Sequence, residues 1–101
     1  MVIFKELKDI CNHVNGNLFF KEDEVGIYYT DSDERVVVLD ISDGFHEDWE
    51  HISAKDIVND LCSGSNELLN AEDDWRVVVD CCSFVEINAM TISNDGNVIL
   101  S

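Results

Sequence analysis

The run RVVV occurs twice in this chain, in DERVVVLD and in DDWRVVVD. A strand with one solvated face alternates apolar and polar residues, whereas an unbroken valine run belongs to a strand covered on both faces. The two runs therefore predict two central, neighbouring strands. More than a dozen residues with a helical pattern separate them, which suits a crossover joining parallel strands. Outside this segment the two halves share no matching residues, so the repeat reads as structural. Arg35 and Arg76 are the only arginines and stand where each strand begins. In a chain with 6 basic and 22 acidic residues, each is expected to pair with carboxylates of the same chain.

The remaining elements follow from period and punctuation. Residues 2–15 carry Ile3, Leu7, Ile10, Cys11 and Val14 on one helical stripe, with Gly16 as the expected C′ residue. NLFFKE and EVGIYYT read as a hairpin around Glu22, Asp23 and Glu24, and TDSDE as the turn before the first valine strand. Residues 42–52 form a polar loop holding two aromatics. A second helix starts at Ser53, with Asp56 three residues on and Ile57, Val58, Leu61 and Cys62 as its buried side. NELLNAEDD has room for one further helical turn. After the second valine strand come FVEINAMTI and NVILS, joined through Asp95-Gly96, a strong hairpin signal. The expectation is one α+β domain over residues 1–101, two helices packed on a five- or six-stranded mixed or antiparallel sheet, in the order α-β-β-β-α-β-β-β.

At 101 residues the chain suffices for one core. No apolar run approaches the roughly 20 residues of a membrane span. MVIFKELKDI lacks the features of a secretion signal. Cys11, Cys62, Cys81 and Cys82 are expected to be reduced and mostly buried, in a cytoplasmic protein. The net charge of −16 exceeds the roughly 2–8 charges that solubility asks of a small domain. Such a field repels nucleic acid and anionic membrane and steers the chain toward basic surfaces.

Few motifs point to chemistry. FHEDWEH holds His46 and His51, but at i, i+5 two helical side chains diverge by about 140°, unlike the H-E-x-x-H zinc pattern. DSDER and DISDGFHED miss the calcium-loop frame. The chain has no nucleophile elbow, phosphate loop or dinucleotide fingerprint. Cys81 and Cys82 lie among acids, which disfavour a reactive thiolate. Neither a catalytic residue, a metal ligand nor a cofactor is assigned.

The acids themselves are more informative. Asp31 and Asp33 would lie about 6.6–7 Å apart on extended chain, a spacing similar to that of successive phosphates. Asp56 and Asp60 share a helical face despite like-charge repulsion. Glu47, Asp48 and Glu50 form a third cluster; Glu72, Asp73 and Asp74 form a fourth. Trp49, with Phe45, is the better interface anchor, because tryptophan gives large buried area at low entropic cost; Trp75, beside a central strand, belongs to the core.

These readings predict an acidic inhibitor that occupies the basic nucleic-acid-binding surface of a target protein or nuclease complex, without binding nucleic acid or membrane itself. Its contacts would come from Asp31, Asp33, Glu34, Glu47, Asp48, Glu50, Asp56, Asp60, Glu72, Asp73 and Asp74, with Phe45 and Trp49 as apolar anchors. In size and charge the chain resembles the small acidic counter-defence proteins of phages, such as anti-CRISPR and anti-restriction DNA mimics. An immunity protein neutralising a nuclease toxin is the first alternative. A small enzyme or cation-binding protein built on the His46–His51 loop is the second.

Overall fold

The computed structural model describes residues 1–41, 52–63 and 70–101. In chain order they form α1 (Phe4–Cys11), β1 (Leu18–Phe20), β2 (Asp23–Asp31), β3 (Val36–Ile41), α2 (Ala54–Leu61), β4 (Arg76–Asp80), β5 (Phe84–Glu86), β6 (Met90–Ile92) and β7 (Val98–Leu100). This is one compact α+β domain, two helices on a mixed seven-stranded sheet of order β5-β4-β3-β2-β1-β7-β6.

The valine runs form β3 and β4, parallel neighbours as their spacing requires. Their register sets Val36 beside Arg76 and Val37 beside Val77. The two RVVV copies thus run one residue out of step, and Arg35 falls outside the strand. Side chains alternate across the sheet, so Val37, Leu39, Val77 and Val79 face the helices while Val36, Val38 and Val78 face away. Both sets are buried, which is why neither run alternates with polar residues.

The sheet has one strand more than expected because the run from Phe84 to Ile92 divides. Ile87 is fully buried, and its carbonyl accepts from the Val2 amide at 3.0 Å. Asn88 and Ala89 then donate to the Ser101 carbonyl at 2.9 and 3.1 Å. The run consequently supplies both outer strands, β5 at one edge and β6 at the other. Four residue steps from Glu86 to Met90 span at most about 14 Å, whereas six strand spacings in a flat sheet would take about 29 Å. The sheet must curl around the core. β2 pairs with β1 through Asp23 and Glu24 and with β3 from Val25 onward, with an irregularity in register between Val25 and Ile27.

The first helix is shorter than residues 2–15. Val2 is extended instead, its carbonyl accepting from Val77 at 3.0 Å, and Ile3 is the N-cap. The helix buries Phe4, Leu7 and Cys11. Fully burying a side chain such as Phe4 contributes about 1.5–3 kcal/mol. The amides of Phe4 and Lys5, which have no partner inside the helix, donate to Trp75 and Asp73 carbonyls at 2.7 and 3.0 Å. The chain just before β4 therefore caps α1. Ser53 caps α2 as expected, its Oγ accepting from the Asp56 amide at 3.2 Å. Ile57, Val58 and Leu61 are buried there, but Cys62 is exposed.

Two glycine readings come out differently. Asp95-Gly96 lies in the hairpin joining β6 to β7, with Gly96 at φ +80°, although the connection runs from Ser93 to Asn97 rather than over two residues. Gly16 is not the C′ residue of α1, whose C-cap is Asn12. It lies against that hairpin, where a Cβ would stand 2.3 Å from both the Gly96 carbonyl oxygen and Asn97 Oδ1.

Candidate partner-binding surface

Two of the four acidic clusters meet. The turn after β2 carries Asp31, Asp33 and Glu34, and the segment before β4 carries Glu72, Asp73 and Asp74. Because β3 and β4 are parallel neighbours, both segments lie at the same end of the sheet. Arg35 joins them, with Nη2 2.7 Å from Asp74 Oδ2 and 3.8 Å from Glu72 Oε2. Lys8 of α1 holds Asp73 at 2.6 Å. This contact and its hydrogen bond keep the Asp73 carboxyl below the usual range and raise the Lys8 ammonium. Six carboxylates thus share one end with Arg35, Lys8 and Arg76, and the Lys5 charge also acts on Asp73.

The local geometry of the first turn corrects the extended spacing expected for Asp31 and Asp33. Asp31 Oδ1 accepts from the amides of Asp33 and Glu34 at 3.0 and 3.2 Å, folding the chain back on itself. Arg35 follows at φ +55°, a left-handed conformation that reverses the chain into β3. Asp31 thus ends β2, while Asp33 and Glu34 are set by a tight turn and do not continue the strand.

From this end the negative surface continues onto the outer face of the sheet, on which neither helix packs. Register and alternation set three rows across it. Asp31, Val36 and Arg76 form the first; Tyr29, Val38, Val78 and Glu86 the second; Ile27, Asp40, Asp80 and Phe84 the third. Val36, Val38 and Val78 are 5, 2 and 3% exposed and pack with Tyr29, whereas Phe84 is 65% exposed. Arg76 reaches Glu86 at 3.3 Å, so both arginines pair internally as expected. A cavity of about 290 Å³ opens over the valines, lined by Tyr29, Asp31, Glu34, Val36, Val38, Arg76, Val78 and Phe84. The Tyr29 hydroxyl is raised above its ordinary pKa, first by burial and then by the charges of Asp80, Asp40 and Asp31. Carboxylates from three strands act on one ring.

The other candidates lie elsewhere. Asp56 and Asp60 are on α2, across the sheet from this face, and Asp60 accepts a hydrogen bond from the Tyr28 hydroxyl at 2.6 Å. Tyr28 is raised by burial first and by Asp60 second. Lys5, Lys8 and Lys55 share this helical layer, so half of the chain's cations lie there. Phe45, Glu47, Asp48, Trp49 and Glu50 lie outside the described residues, as do His46 and His51. No set of three or more potential metal ligands comes together among the described residues. Trp75 is in the core at 6% exposure, and its buried indole Nε1 finds no acceptor among the described residues.

All four cysteines are free, but only Cys11 is buried; Cys62 and Cys82 are exposed, because Cys62 caps α2 and Cys82 lies in the bend beyond β4. No helix among the described residues is long and apolar enough to cross a membrane. Searches against family models, curated proteins and solved structures gave no match.

The sequence reading missed Tyr29, Phe84 and the outward valines as one surface. A signal was present: Ile27, Tyr29 and Asp31 alternate with the inward Tyr28 and Thr30. Which face lacked helices was not readable from the strands alone.

Proposed function

We propose that this chain is an acidic protein inhibitor that occupies the basic nucleic-acid-binding surface of a target protein, acting as a nucleic-acid mimic in a setting such as phage counter-defence. The observation that carries this reading is the convergence of the Asp31–Glu34 and Glu72–Asp74 segments at one end of the sheet, continuous with Asp40, Asp80 and Glu86 on the outer face. Residues far apart in sequence contribute to one surface on which the acids outnumber the paired cations Arg35, Arg76 and Lys8. A basic groove meeting that surface gains on approach rate and orientation, because complementary fields steer encounter. The apolar floor beneath the acids supplies the desolvated centre that an interface needs.

An immunity protein against a nuclease toxin would use the same surface and differ only in its target. The test is capture from bacterial lysate by the parent and by a charge-reversed variant, Asp33→Lys with Glu34→Lys and Glu72→Lys. All three residues are exposed, so far-ultraviolet circular dichroism should be unchanged. Nucleic-acid-binding proteins held by the parent and lost by the variant support the reading. Equal capture by both overturns it.

A further inference from the structure

From the outer face of the sheet we infer that the cavity over Val36, Val38 and Val78 receives an arginine side chain of the basic partner; this rests on the function proposed above. Three features select that occupant. The floor is valine, which suits a long apolar stem, and arginine lays its methylenes on apolar surface while keeping its head at the polar edge. The edge of the cavity carries Asp31 and Glu34. Asp31 Oδ1 accepts from two backbone amides, which fix the carboxylate at the cavity edge. The Tyr29 ring stands two residues along the same strand and face from Asp31, and guanidinium stacks on aromatic faces.

Arginine is selected over lysine. Its planar fork reaches two carboxylates together, whereas an ammonium is a point charge with a stronger hold on water. Arg76 lines the cavity as well, but its guanidinium is paired with Glu86 of β5 at 3.3 Å, which leaves Asp31 and Glu34 to meet the incoming group. A second copy of the chain is a poor occupant, since it would bring another −16 against the same acids. Tyr29 and Phe84 are three strands apart, about 14 Å, so they bound the two ends of the trough and do not clamp one group between them.

The test is a nuclear magnetic resonance titration of the full chain with the peptide Ac-Gly-Arg-Gly-Arg-Gly-NH₂ and its lysine counterpart. Saturable shifts of the Val36, Val38 and Val78 methyls and the Tyr29 ring are expected, with the arginine peptide binding more tightly. Asp31→Asn with Glu34→Gln keeps the shape of the rim and should weaken that binding about tenfold, as the loss of charge-assisted hydrogen bonds implies. Tyr29→Leu should bring arginine and lysine affinities together, while Tyr29→Phe keeps them apart. Shifts confined to the Glu72–Asp74 segment would overturn the cavity assignment and leave the acidic docking surface standing. No shift at any residue would overturn the assignment and count against the proposed function as well.

Discussion

Arg35 Nη2 lies 2.7 Å from Asp74 Oδ2, and this contact ties together two acidic turns that are 39 residues apart in sequence. Both side chains are more than half exposed, so the pair is worth at most about 1 kcal/mol. Its larger effect is spatial, since it sets a cation of the first turn against Asp74 and Glu72 of the second. Arg35 is also left-handed at φ +55°. Arg35→Gly removes that strain and Arg35→Ala retains it. In urea denaturation the glycine variant is expected to be the more stable of the two by about 1 kcal/mol.

Gly16 gives a stronger contrast. A Cβ there would meet the Gly96 carbonyl, a backbone atom, at 2.3 Å, and Ala54 donates to the Gly16 carbonyl at 2.9 Å. Gly16→Ala should cost about 1–3 kcal/mol, the range for forcing extra volume into packed structure. Gly96→Ala has open space but a φ of +80° and should cost about 1 kcal/mol. Thermal denaturation of the two variants should rank them in that order.

Trp75 fills the core with an indole N–H that finds no acceptor among the described residues. Removing an unsatisfied buried donor recovers part of its desolvation cost, about 1–3 kcal/mol. Trp75→Phe is therefore expected to be close to neutral, whereas Trp75→Ala should cost about 3–5 kcal/mol. A phenylalanine variant as damaged as the alanine variant would show that the N–H is satisfied.

Thiol labelling reads burial directly. Burial pushes the Cys11 thiol up to about 12, while Cys62 and Cys82 are exposed. Ellman's reagent at pH 8 should modify Cys62 and Cys82 in the native protein and Cys11 only after unfolding. Fast native labelling of Cys11 would contradict the packing of α1.

The Lys8–Asp73 contact makes a pH prediction whose sign follows from linkage. The Asp73 carboxyl is depressed, so its stabilising part is present above the ordinary aspartate pKa and is lost as pH falls through the depressed value. Lys8 is raised, so its part is complete below the ordinary lysine pKa and is lost as pH rises through the raised value. Asp73→Asn should lower Tm at neutral pH, and the difference should close in acid. A difference that persists below the depressed pKa would mean that shape, not charge, sets the effect.

Much of this architecture was legible in local sequence. The valine runs announced central parallel strands, Ser53 announced a helix start, and Asp95-Gly96 announced a hairpin. What escaped was non-local. Nothing in NVILS indicates that β7 pairs in parallel with β1, and nothing in FVEINAMTI indicates that the chain crosses at Ile87 from one edge of the sheet to the other. For the site, the sequence marked the acids but not their grouping. Asp31 is extended as expected, but its carboxylate folds the chain into a turn before Asp33, and Glu72–Asp74 join Asp31–Glu34 only through the β3–β4 register.

The acidic surface is the central claim, and salt tests it most directly. Capture by the parent chain from bacterial lysate, at low and high salt and with and without competing DNA, should recover a nucleic-acid-binding protein or complex that both salt and DNA displace. Exposed charges are screened within about 10 Å at 0.1 M salt, so the affinity for that target should fall steeply as salt rises. A partner without a nucleic-acid role, held equally at low and high salt and indifferent to DNA, would contradict the account.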